Sequence, residues 1–165
     1  MSEILNQDEA NQTVNKRGSA RLFAVQALYQ MDVSRAKISE VVHEFETMRI
    51  GQELDGEKYL EADLAWFRGL VSGVVKEQKE MDPMIHKTLP KDWPLSRIDT
   101  LLRAILRCGT FELLKRKDVP ARVVISEYLE VTKAFFTEEE PRLVNALLDT
   151  LARELREGEF GGKAE

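Results

Sequence analysis

The chain of 165 residues holds a single cysteine, Cys108. One thiol excludes an internal disulfide and any cysteine-based zinc site, and it fits a reducing compartment. Histidine is nearly as scarce: His43 and His86 stand far apart, and neither belongs to an H-E-x-x-H or cysteine–histidine cluster. Long apolar runs are missing. No window approaches ~18 uninterrupted apolar residues, so no membrane-spanning helix is expected. Residues 1 to 18 lack the apolar stretch of a secretory signal. There is no P-loop and no G-x-G-x-x-G. No segment alternates apolar and polar residues as a half-buried strand does. Cys108 lies among apolar neighbours and reads as a small core residue rather than a nucleophile. No cofactor, no metal ligand set and no catalytic residue is therefore expected. The net charge of −5 argues against a protein that coats nucleic acid nonspecifically.

What the chain does have is helix. The stretch Ser96 to Lys117 carries Ile98, Leu101, Leu102, Ala104, Ile105, Leu106, Cys108, Phe111, Leu113 and Leu114, which leave almost no wholly polar face. A helix apolar nearly all round is a buried one. Ser96 with Asp99 three residues on resembles a capping box. Lys115, Arg116 and Lys117 suit the negative end of the helix dipole, and Pro120 forbids continuation. This predicts a central helix that other helices wrap.

Around it the periodicity predicts a helix over residues 17–31, with Ala20, Phe23, Ala24, Ala27 and Met31 inward. A second spans 38–50, with Val41, Val42, Phe45 and Met48 inward. A third spans 57–80, with Tyr59, Leu60, Leu64, Phe67, Leu70, Val71, Val74 and Val75 inward. Asp82-Pro83 reads as an N-cap and N1 proline opening a short helix that ends near Leu89. Two more helices follow, over 121–136 and 141–157. In the last, Arg142, Asn145, Asp149, Arg153 and Arg156 are expected to face out. The fold class is all-α, a compact helical bundle of six to seven helices. Residues 1–15 are expected to form a disordered arm, 16–157 a single helical domain and 158–165 a flexible tail.

Charge is uneven. From Glu40 to Asp63 there are eight acids and two bases; from Lys87 to Arg122 there are nine bases and four acids. On the first helix Arg21, Val25 and Tyr29 follow at i, i+4 and i+8, opposite the apolar stripe. Lys16, Arg17 and Arg21 with the ring of Tyr29 make the combination of cations and stacking aromatic that holds single-stranded nucleic acid. Three such cations imply a shallow log–log salt dependence, on the order of −2.

Four blocks of the chain together resemble the NusB family of bacterial transcription antitermination factors. They are Ala20–Tyr29 (ARLFAVQALY); Arg103–Arg107 through Phe111–Leu114 to Asp118-Val119-Pro120; Val124–Glu127 continuing to Lys133-Ala134-Phe135; and Leu143–Asp149 (LVNALLD), close to the family's F-V-N-G-V-L-D. The resemblance implies two perpendicular three-helix bundles and a non-enzymatic, cytoplasmic factor. It implies binding of single-stranded boxA-like RNA in nascent ribosomal RNA transcripts. The implied partners are NusE, a small-subunit ribosomal protein, and RNA polymerase with other Nus factors. RNA contacts would fall on Lys16, Arg17, Arg21 and Tyr29, with Glu139, Arg142 and Asn145 near the RNA path. The NusE surface would involve Phe111, Glu112, Phe135 and Leu143. The sequence departs from the family's pattern where Lys16-Arg17-Gly18-Ser19 replaces a denser arginine run, where Leu102 replaces an acid and where Ser126 replaces an asparagine. The thinned basic arm supports an alternative, a helical protein-interaction module that has lost RNA binding.

Overall fold

The structure, a computed structural model, describes residues 2–51, 53–54, 57–58, 62–94, 98–137 and 139–160; side chains are described from Lys16 onward, outside the 53–58 stretch. The elements in order are α1 (Ser2–Ser34), α2 (Ile38–Met48), β1 (Glu53–Leu54), β2 (Glu57–Lys58), α3 (Leu64–Thr88), α4 (Thr100–Lys115), α5 (Ala121–Phe135) and α6 (Glu139–Leu155), followed by a 3-10 turn at Glu157–Phe160. The fold is all-α apart from the two-residue strands. The chain divides into two compact units, Met1–Ser72 and Gly73–Glu165, with α3 running through the division.

In the first unit α1 packs on α2. Ala20, Ala24 and Ala27 are fully buried on the stripe read from the sequence. Phe23 meets Phe45 edge-on at 6.2 Å, and Phe45 stacks on Phe67 at 5.8 Å. These rings carry large apolar area into one cluster shared by three helices. Gln30 Nε2 donates to Glu44 at 2.7 Å, and Arg68 pairs with Glu46, so polar links flank the rings. Helical backbone begins at Ser2 rather than near Arg17; residues 2–15 contain no glycine or proline to break it.

The third helix was expected from Glu57 and begins at Leu64. Glu53–Leu54 pairs antiparallel with Glu57–Lys58 instead. The dipeptide between them in sequence is Asp55-Gly56, the kind favoured in tight hairpin connections. Asp63 supplies the helix start: its Oδ1 accepts from Trp66 N at 2.9 Å. Tyr59 and Leu60, expected inward, lie outside the described residues. Met48, Leu64 and Val75, also expected inward, are exposed, each lying off the buried stripe of its helix.

In the second unit every residue of α4 from Ala104 to Leu113 is buried, and α4, α5 and α6 pack pairwise. The expectation of a wrapped central helix holds. Its cap is Asp99 rather than Ser96, which lies outside the described residues: Asp99 Oδ1 accepts from Leu101 N at 2.9 Å and Leu102 N at 3.3 Å. Two glycines set the helix approaches. A Cβ at Gly73 would stand 2.2 Å from Phe111 Cζ, and one at Gly109 would stand 2.9 Å from Leu148 Cδ1. Asp82-Pro83 does not start a helix. Pro83 sits inside α3, exposed, while Met81 and Ile85 are fully buried on either side. Continuous burial along Leu70, Val71, Val74, Met81 and Ile85 outweighs the ~3 kcal/mol an interior proline costs. Asp82 instead takes Arg107 bidentately, Nε to Oδ1 at 2.9 Å and Nη2 to Oδ2 at 2.8 Å.

Arg156 was expected to face out and is buried. Its guanidinium donates to the carbonyls of Glu112 (3.0 Å), Leu113 (2.7 Å), Arg116 (2.9 Å) and Val119 (2.9 Å). Leu113 and Glu112 belong to the last turn of α4, where carbonyls run out of intrahelical donors; the Glu112 carbonyl also accepts from Arg116 N at 2.9 Å. Glu159 Oε2 holds Nη1 at 2.6 Å, and Oε1 accepts from Ala121 N at 2.8 Å. One arginine thus closes the end of α4 and one carboxylate joins it to the start of α5. The backbone from Glu157 to Phe160 forms a 3-10 turn; residues beyond 160 lie outside the described ones.

Candidate nucleic-acid interface

The candidate residues fall into two clusters, one in each unit. In the first, α1 supplies Lys16, Arg17 and Arg21, and the first turn of α3 supplies Trp66; Tyr29 lies about two turns beyond Arg21 on α1. Arg17 Cζ stands 4.0 Å from the centroid of the Trp66 ring, and Arg21 Cζ stands 5.6 Å from it. Asp63, just before α3, places Oδ2 3.9 Å from Arg17 Nε, and its backbone N donates to Lys16 O at 3.1 Å. Lys16 is exposed and Arg17 half-buried. Tyr29 is 40% exposed, as a stacking ring requires.

Arg21 corrects the expectation. It is 3% exposed, and Val25 below it is fully buried. Arg21 and Tyr29 differ in azimuth by roughly 80°. That angle separates a position covered by the Trp66 ring from one that emerges, so the second face of α1 is core at Arg21 and Val25 and surface only at Tyr29. Trp66 was missed. Its place beside Phe67 made it one more apolar residue of a helix, and nothing in the spacing tied it to α1. The signal that could have found it is Asp63-x-x-Trp66, a cap residue followed by an aromatic on the first turn.

In the second unit Glu139, Arg142 and Asn145 are all exposed on α6. The structure brings the first two together. With Lys133, Phe136, Thr137 and Pro141 they line an open cavity of about 780 Å³ where α5 turns into α6. Asn145 lies outside that lining. Lys133 and Arg142 are its cations, and Phe136 is its ring. Glu139 places a negative group on the first turn of α6, where it favours the helix dipole and opposes an incoming phosphate.

The expected partner residues divide. Phe135 is 37% exposed at the end of α5, and Leu143 is half-buried on α6. Phe111 and Glu112 are buried inside the second unit and are corrected from surface to interior. Phe111 fills the space beside Gly73, and the Glu112 carboxylate accepts from the Tyr128 hydroxyl. Periodicity could not show this, because a helix buried on all sides has no outward position to assign. Burial, with the Glu112 charge adding to it, pushes the Cys108 thiol up, so it stays protonated and inert. Among the described residues no three acids, histidines or cysteines are grouped to hold a metal, and no helix is long and apolar enough to cross a membrane.

The comparisons with known proteins agree on one family. The NusB family model matches residues 18–153, which includes both clusters apart from Lys16 and Arg17. The transcription antitermination protein NusB of Sinorhizobium fredii is 58% identical over 149 residues, 90% of this chain and 93% of that protein. A solved structure of T. maritima NusB is 30% identical, covers 87% of this chain and 96% of its own, and has a TM-score of 0.72. A crystal structure of antitermination factors NusB and NusE in complex with dsRNA has a chain 24% identical, covering 84% of this chain and 97% of its own, with a TM-score of 0.65. The chain belongs to the NusB family.

Proposed function

We propose that the chain is a transcription antitermination factor that binds single-stranded, boxA-like RNA of nascent ribosomal RNA transcripts. It does so with NusE, a small-subunit ribosomal protein, and acts on RNA polymerase with other Nus factors in the cytoplasm, without catalysis. The observation that carries the RNA reading is the α1 cluster: Arg17 stacked on Trp66 at 4.0 Å, next to exposed Lys16, on the helix that also presents Tyr29. Cations supply phosphate attraction, and the phenol ring supplies sequence-tolerant stacking. Glu139, Arg142 and Asn145 give α6 a second set of RNA contacts, and Phe135 and Leu143 are the residues offered to NusE.

The burial of Arg21 favours a second reading, a protein-interaction module that has lost RNA binding. With Lys16 and Arg17 as the outward cations of α1, the expected log–log salt slope falls from about −2 to on the order of −1.4. Gel shifts and salt titrations with a boxA-like RNA, with and without NusE, test both readings. RNA binding that strengthens with NusE and shows a shallow slope supports the first. NusE binding with no RNA binding in either condition sinks it and leaves the interaction module.

A further inference from the structure

We propose that Trp66 is a positioning residue for RNA: it fixes the Arg17 guanidinium on its ring so that the cation is presented to phosphate already ordered. The inference rests on the RNA-binding reading and goes beyond it by naming a residue that acts through another. Trp66 is only 4% exposed, so it cannot stack a base itself. Whatever it contributes reaches RNA through the group lying over it, and that group is Arg17. The Arg17 side chain keeps 37% of its surface exposed, while its Nε is buried with no hydrogen-bond partner among the described residues. The exposed part of the side chain therefore lies away from Nε, beside solvent.

Three features hold the arginine there. The negative ring face attracts the guanidinium. Asp63 Oδ2 at 3.9 Å draws the Nε edge inward without forming a hydrogen bond that would consume a donor. The same Asp63 caps α3 through Trp66 N and receives α1 through Lys16 O, so the ring and the helix that carries Arg17 are tied to one residue. Arg21 lies near the same ring at 5.6 Å. Two like charges at one site repel, and the ring with Asp63 offsets that repulsion. An arginine on an open surface loses rotamer freedom when it binds phosphate; one already stacked loses less.

The test is a double-mutant cycle on the full chain, read by RNA affinity for a boxA-like oligonucleotide at several salt concentrations. The variants are Arg17→Ala, Trp66→Phe, Trp66→Leu and the Arg17→Ala pairs with each, all checked by thermal melts. Trp66→Leu should weaken RNA binding about threefold to tenfold, with Trp66→Phe between it and the parent, because phenylalanine keeps a weaker ring face. In the Arg17→Ala background neither Trp66 change should weaken binding further. If Trp66→Leu does not fold, Trp66→Phe alone decides through its coupling to Arg17. The proposal is overturned if Arg17→Ala weakens binding while both folded Trp66 variants bind as the parent does. It is equally overturned if the Trp66 effect persists undiminished without Arg17. A parent chain that binds no RNA, alone or with NusE, refutes the RNA reading itself, a result distinct from either of these.

Discussion

Single residues decide whether a charge on this chain is surface or structure. Arg17, Arg21 and Arg107 lie on helices and Arg156 directly follows α6, yet of these four only Arg17 keeps substantial exposure. Arg156 is surrounded by carbonyl oxygens and the Glu159 carboxylate, and its planar fork suits several acceptors at once. The Ala121 N–H first, and then Arg156, hold the Glu159 carboxyl below its ordinary value. A depressed carboxyl stabilises the fold above its unfolded pKa, and that contribution is lost as pH falls through the folded one. Melting temperatures measured from neutral pH down through the carboxylate range should therefore fall more steeply for the parent than for Glu159→Gln. Parallel curves would mean that Glu159 adds no pH-dependent stability.

At the scale of elements, α4 is the piece whose loss would be felt most. Ile105 is fully buried midway along it. Ile105→Ala should destabilise the chain by ~2–5 kcal/mol through lost transfer energy plus a cavity, read as a lowered midpoint in denaturant titration. An unchanged midpoint would place the core elsewhere. The interior proline of α3 makes the same point from the other direction. Pro83 breaks a local rule, but the burial of Met81 and Ile85 and the Asp82–Arg107 pair bind the helix on both sides of it. Local propensity is worth a few kcal/mol at most, and a stripe of buried side chains exceeds it.

For the molecule as a whole, the division into two units separates the candidate clusters by chain segment: α1 with the start of α3, and the end of α5 with α6. Phe135 belongs to the second and is partly exposed. Phe135→Ala should lower NusE affinity, measured by calorimetry, while changing the melting temperature little. Unchanged affinity with a collapsed melt would assign the ring to the core. With a net charge of −5, the RNA binding proposed for this chain would depend on local rather than overall charge.

The sequence by itself determined that the chain is helical and which stripes of most helices are buried, because burial on one face leaves a period that can be read one residue at a time; the bounds of α1 and α3 and the continuity of α3 through Pro83 were not legible. The Ala20, Phe23, Ala24 and Ala27 stripe and the all-round apolar α4 needed no coordinates. Four blocks in order were enough to point to the family. Only the tertiary structure decided what depends on residues distant in sequence. Arg21 is covered because Trp66, 45 residues later in the numbering, lies against it. Glu112 is interior because Tyr128 meets its carboxylate, and Arg156 turns inward because α4 ends beside it with carbonyls to satisfy. Periodicity reports how one helix divides its own surface. It carries no record of which neighbour covers a polar position, and that neighbour fixes whether a cation is buried in the fold or left at the surface.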